Sequence, residues 1–163
     1  TIFKPPRCRS KRERAIRKPR LRSRLARLYD RLNADEAAQR EYRLAVERSP
    51  GDADLLNDAG MFHLRRQRWS DAEAWFRRAL DAQPDHDRAA VNLAVCLGMQ
   101  GRLGDSYEAF AQSVGPAAAY CNLGVLLARQ GRTGEAQEHL QHALSLDRSL
   151  QPAQQLLAQL DRQ

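Results

Sequence analysis

The side chains of this chain with the means to do chemistry are few and scattered. There are four histidines, His63, His86, His139 and His142, and three cysteines, Cys8, Cys96 and Cys121. His139 and His142 are spaced i,i+3, so on a helix both could turn to one ligand. A metal site wants a third ligand at a matching spacing, and none is there. Gly98-Met-Gln-Gly101-Arg-Leu-Gly104 imitates a phosphate loop in its glycines. It lacks the Lys-Ser/Thr pair and the preceding strand that such a loop needs. Cys96 and Cys121 read as reduced, packed thiols, and three cysteines make no disulfide framework. No nucleophile elbow occurs. These residues point to a protein that is not an enzyme and uses neither metal nor cofactor.

The remaining chemistry is cationic. The chain has 163 residues with Lys+Arg 27 against Asp+Glu 20, a net charge of +7. Residues 1–32 carry 13 of those cations and only two of the acids, Glu13 and Asp30. The rest of the chain is mildly acidic and contains no lysine, so the high pI belongs to the N-terminus. Residues 1–18 therefore read as a basic, flexible arm bearing Arg7, Arg9, Lys11, Arg12, Arg14, Arg17 and Lys18. Such an arm could meet phosphates on nucleic acid or an anionic surface. It could equally be a solvated tail, since no aromatics are interleaved for base stacking. The positive charges precede no apolar run of signal-peptide type, and Cys8 lies between arginines without a lipobox, which favours a cytoplasmic protein. No stretch approaches the ~18 apolar residues of a transmembrane segment.

Whatever these groups do, helices must position them. Hydrophobic residues are 42% and aromatics only 6%; Ala and Leu carry the apolar load, which favours helix over sheet. The chain is also self-similar. With Gly60, Ala94 and Gly124 in register, LNDAGMFHL, AVNLAVCLG and YCNLGVLLA align. Ala72, Ser106 and Ala136 follow twelve residues on, Phe76, Phe110 and Leu140 sixteen on, and Ala79, Ser113 and Ala143 nineteen on. A period near 34 with small residues at fixed offsets marks stacked helix pairs. The small residues let paired helices approach closely, and the large one fills the gap to the next pair. Pro84 ends a second helix, because it lacks the N–H and biases its predecessor away from the helical region.

In these small, aromatic and proline positions the chain resembles the tetratricopeptide repeat. The repeat style of AGMFHLRRQRWSDAEAWFRRALDAQPDHDRAAVNLAVCLGMQGR is similar to that of bacterial TadD-like proteins labelled for Flp pilus assembly. The resemblance implies an all-α fold, a right-handed α-solenoid of about four helix-turn-helix units. A degenerate repeat spans 19–52, with Pro19 at its first helical position. A full one spans 53–86, a shortened one 87–116 and another 117–150, before a capping helix in 151–163. Helices are expected at Leu21–Asn33, Asp35–Arg48, Asp52–Arg66, Trp69–Ala82, Asp87–Gln100, Leu103–Ser113, Ala117–Gln130, Thr133–Leu146 and Pro152–Leu160, with Gly101 and Gly131 at turns. Gly115-Pro116 cuts one helix short by about a turn, ~5.4 Å. That shortening is expected to change the rotation between the third and fourth repeats and narrow the groove near Asn92 and Asn122.

The resemblance also implies a binding surface. First helices of such repeats line a concave groove, and the positions that face it carry Asn57, Asp58, Met61, Arg65, Arg88, Asn92, Val95, Asn122, Val125 and Arg129. Asp58, Asn92 and Asn122 share one repeat position. An Asn there can both donate to and accept from a peptide backbone. Met61, Val95 and Val125 form an apolar floor with arginines around it, suited to an extended or helical peptide with acidic flanks. The Lys/Arg residues of a chaperone-type carboxylate clamp are absent: Asn57, Val91 and Cys121 stand at the fifth repeat position. The implied function is a scaffold that binds a protein or peptide partner, with nucleic-acid or anionic-surface binding by the arm as the alternative.

Overall fold

The computed structural model of the chain describes residues 11–162, with side chains from Leu21 onward. Nine α-helices fill the described residues: α1 (Lys11–Arg31), α2 (Asp35–Arg48), α3 (Ala53–Arg65), α4 (Trp69–Ala82), α5 (Asp87–Met99), α6 (Leu103–Val114), α7 (Pro116–Arg129), α8 (Thr133–Leu146) and α9 (Gln151–Leu160). They pair as α1–α2, α3–α4, α5–α6 and α7–α8, each pair stacking on the next, with α9 closing the series. The architecture is an all-α solenoid.

Most helix boundaries fall within two residues of expectation; two places differ in a way that matters. The first helix was expected at Leu21 but begins at Lys11, so Lys11, Arg12, Arg14, Arg17 and Lys18 are helical rather than part of an arm. The run KRERAIRK is made almost wholly of good helix formers. Pro19 consequently sits inside α1, not at its first position. Arg7 and Arg9 lie outside the described residues. Residue Pro116 belongs to α7 as its first residue, where a missing N–H costs nothing. Gly115, at φ 84, joins α6 to α7 directly.

Within each pair the chain reverses through one residue of positive φ: Asn33 (54°), Gln67 (57°), Gly101 (80°) and Gly131 (76°). Only the last two announce themselves as glycine. Caps are supplied unevenly. Asp52 accepts from the Leu55 N–H at 3.1 Å to start α3, and His86 Nδ1 accepts from the Ala89 N–H at 3.1 Å to start α5.

The core repeats one contact. A large side chain of the second helix lies on a small residue of the first. Phe76, fully buried, covers Gly60 so closely that a Cβ there would fall 2.5 Å from its ring. Phe76 also packs with Leu93, Cys96 and Leu97 of α5, which makes it the wedge between two pairs. Phe110 clusters with Ala94, Ala119 and Leu123. Leu140 covers Gly124, where a Cβ would meet it at 2.7 Å. In α5–α6 the buried Ser106 hydroxyl donates to the Ala94 carbonyl at 2.7 Å, so the polar atom is satisfied.

These contacts fix the sign of three substitutions. Phe76→Ala should cost about 3–5 kcal/mol through cavity formation. Gly60→Ala should cost about 1–3 kcal/mol by overpacking against that ring. Gly134→Ala in α8, where a Cβ meets nothing within 4 Å, should instead gain about 0.4–1 kcal/mol. Urea unfolding of the three variants checks all three.

Candidate protein-binding groove

The first helices of the pairs lie side by side, α1 on α3, α3 on α5 and α5 on α7. Two open clefts run between α1 and α3. One, of about 870 Å3, is lined by Arg27, Asp30, Arg31, Asn33, Asp35, Arg65 and Arg66. The other, of about 380 Å3, is bordered by Arg24, Arg27, Asp54, Asp58 and Arg88 among others. Both are walled by charge.

Most of that charge is already paired across the repeats. Arg65 of α3 meets Asp30 of α1. Arg66 at the end of α3 reaches Asp30 at 2.7 Å and Asp35 at 2.7 Å through Nε, while its guanidinium lies 3.9 Å over the Phe62 ring. Arg88 of α5 meets Asp54 of α3, as does His86 at 3.2 Å. Asp58 accepts from the Ser23 hydroxyl at 3.4 Å and lies 3.8 Å from Arg27. Burial pushes the Asp58 carboxyl above the ordinary carboxylate range, against the pull of Arg27. Burial also pushes Asp54 up, but bonds from His86 and Arg88 overcome it and hold that carboxyl below its usual value.

The asparagines divide in the same way. Asn57 is buried, and its Oδ1 accepts from Asn92 Nδ2 at 2.8 Å. Asn92 therefore links α5 to α3. Met61 packs beneath, against the Phe76 cluster. Asn122 is half-buried on α7 and makes no side-chain hydrogen bond among the described residues. Val95 of α5 and Val125 of α7 are half-buried, and Arg129 is exposed without an ion pair among the described residues. So of the ten groove positions, Asn57, Asp58, Arg65, Arg88 and Asn92 tie repeats together, and Met61 and Val95 are half-buried with one side against the core. Asn122, Val125 and Arg129, with the open side of Val95, remain presented.

A further tie, unanticipated in the sequence, lies at the α5–α6 turn. Glu73 of α4 accepts from Gln100 at 2.9 Å and pairs with Arg102 at 3.1 Å. Burial pushes the Glu73 carboxyl up, yet the bonds from Gln100, Arg77 and Arg102 prevail and hold it below the ordinary value. Opposite charges one repeat apart, as in Asp54 and Arg88, were a usable signal in the sequence. The Glu73 cluster had none, since its partners sit 27 and 29 residues on.

The histidines have places in the packing. His63 is buried, edge-on to Phe62 and stacked toward Trp75, and burial pushes its pKa down. His139 and His142 flank the Tyr120 ring at 6.0 and 4.1 Å. Among the described residues no three His, Cys, Asp or Glu gather as a metal site, and no helix is long and apolar enough to cross a membrane.

Paired helices stacked at this period, with small residues under large ones and first helices side by side, define an α-helical repeat solenoid. Models of the tetratricopeptide repeat match residues 23–87 and 63–120, and again 117–150. The chain belongs to the tetratricopeptide repeat family, whose members are generally scaffolds for protein interactions. Solved structures show the same fold. PilW, a type IV pilus biogenesis factor, is 23% identical over 88% of this chain and 69% of its own, with a TM-score of 0.64. PilF of Pseudomonas aeruginosa is 20% identical over 90% and 68%, also at 0.64. MamA is 16% identical over 88% and 80%, again at 0.64. No curated protein matches significantly by sequence.

The division of the groove makes Asn92 and Asn122 unequal. Asn92→Ala should cost about 1 kcal/mol, as for a lost partly buried hydrogen bond. Asn122→Ala should leave the melting temperature unchanged. A pH series tests Glu73. Its folded pKa lies below the unfolded 4.5, so its stabilisation is present above pH 4.5 and is lost as pH falls through the folded value. Glu73→Gln should flatten that part of the acid limb in thermal melts.

Proposed function

We propose that the chain binds a segment of a partner protein in the second half of its groove, between α5 and α7. The carrying observation is the contrast between equivalent positions. In the first half, groove-lining polar groups close on neighbouring repeats. In the second half, Asn122 offers an amide with donor and acceptor sides, Val95 and Val125 form an apolar floor, and Arg129 stands exposed at the rim. An extended segment with alternating apolar residues and an acidic group suits that surface. The half-exposed Met99, which accepts a bond from Gln130 at 3.4 Å, continues the floor. The likeness to PilW, PilF and MamA supports the fold on which this reading stands.

Affinity capture from an extract of the cells that make the protein tests it. A partner held by the groove should be retained by the wild type and lost with Val125→Glu or Arg129→Glu. Retention should persist without residues 1–10 and vary weakly with salt, because the contact is largely apolar. Steep loss with salt, insensitive to both groove variants, would point to phosphate contacts through the cationic end instead.

A further inference from the structure

Among the described residues, the first and last helices of the stack differ in how their apolar faces are covered. At the C-terminal end α9 lies on α7 and α8, burying Ala153 and Leu160 and partly burying Leu156 and Leu157. At the other end α1 presents bare leucines. Leu21 is 67% exposed, Leu28 47% and Leu32, one residue past the end of the helix but still bonded back to Leu28, 66%. At 100° per residue these three fall within about 40° of one another, a single stripe along the helix. Ser23, Arg27 and Asp30, which bond to α3, lie roughly opposite. Among the described residues the stripe therefore lies on the side of α1 away from α3, the kind of face against which a further helix packs.

The charge around the stripe selects the occupant. Helix α1 holds ten Lys and Arg against Glu13 and Asp30. Arg24 and Arg31, spaced i,i+7, run along one edge of the stripe and have no ion pair among the described residues. A second copy of α1 brought against this face would oppose cation to cation. We propose that the outer face of α1 docks an acidic amphipathic helix from another protein, its leucine-type residues on Leu21, Leu28 and Leu32 and its carboxylates beside Arg24 and Arg31. The leucine stripe lies on the other side of α1 from α3, apart from the α5–α7 half of the groove, and Arg24 and Arg31 stand between it and the α1–α3 clefts that they also line; one chain could hold a partner at each.

The test uses the full chain and two labelled model peptides, one a leucine–glutamate amphipathic helix and the other its leucine–lysine counterpart, read by fluorescence anisotropy. The glutamate peptide should bind saturably and the lysine peptide should not. The exposed triple variant Leu21→Ser/Leu28→Ser/Leu32→Ser should bind at least about tenfold more weakly with an unchanged melting temperature. Arg24→Glu/Arg31→Glu should lose the glutamate peptide and gain the lysine one. Arg148→Glu, at the exposed turn between α8 and α9, should change neither. Absence of saturable binding, or equal binding by the triple serine variant, would overturn the proposal. So would leucine-dependent self-association in sedimentation, or leucine-dependent capture by phosphatidylserine vesicles without peptide binding.

Discussion

The fold depends on a small residue lying beneath a large one. Gly60 under Phe76 and Gly124 under Leu140 leave no room for even a methyl group, and Ala94 beside Phe110 is the same arrangement with one carbon more. The large side chain does two jobs. It fixes the spacing of its own helix pair, and it projects into the first helix of the next. Phe76 reaches Leu93, Cys96 and Leu97 in this way. No pair could bury such a residue alone, so each requires its neighbour, and stability passes along the stack as nearest-neighbour contact.

That packing sets the first helices side by side, and their polar side chains then meet at a spacing close to the repeat. Arg65 finds Asp30, Arg88 finds Asp54 and Asn92 finds Asn57. These ties stand in the groove that could have been given to a ligand. They cluster in the first three pairs. Beyond the shortened α6, at twelve residues against fourteen in α4 and α8, the polar contact from α7 back to α5 is the Gln130–Met99 bond. The groove thereby has a self-paired half and a presented half, although one sequence pattern runs through both.

Much of this was legible. Gly60, Ala94 and Gly124 in register with Phe76, Phe110 and Leu140 fixed helix identity and pairing, because a steric fit between small and large leaves a strong trace in residue type. Pro84 and Gly115-Pro116 marked helix ends for equally local reasons. The start of α1 was less legible: Pro19 looked like a helix opener, and the propensity of the preceding Lys, Arg and Glu prevailed. At Gln67 a non-glycine takes φ 57, which residue type does not reveal. The groove positions could be listed from the repeat, but not their state. Whether Asn92 is free depends on what Asn57 does thirty-five residues earlier, and identical asparagines at equivalent positions, Asn92 and Asn122, have opposite fates.

The unequal states of Asn92 and Asn122 are measured most directly by side-chain amide exchange in NMR, which needs no partner. In the free protein the Asn92 Nδ2 protons should be protected and show contacts to Asn57, while those of Asn122 should exchange with solvent at close to the rate of an exposed amide. If Asn92 exchanged as fast as Asn122, or Asn122 were protected in the absence of any partner, the division of the groove into a structural half and a binding half would be wrong.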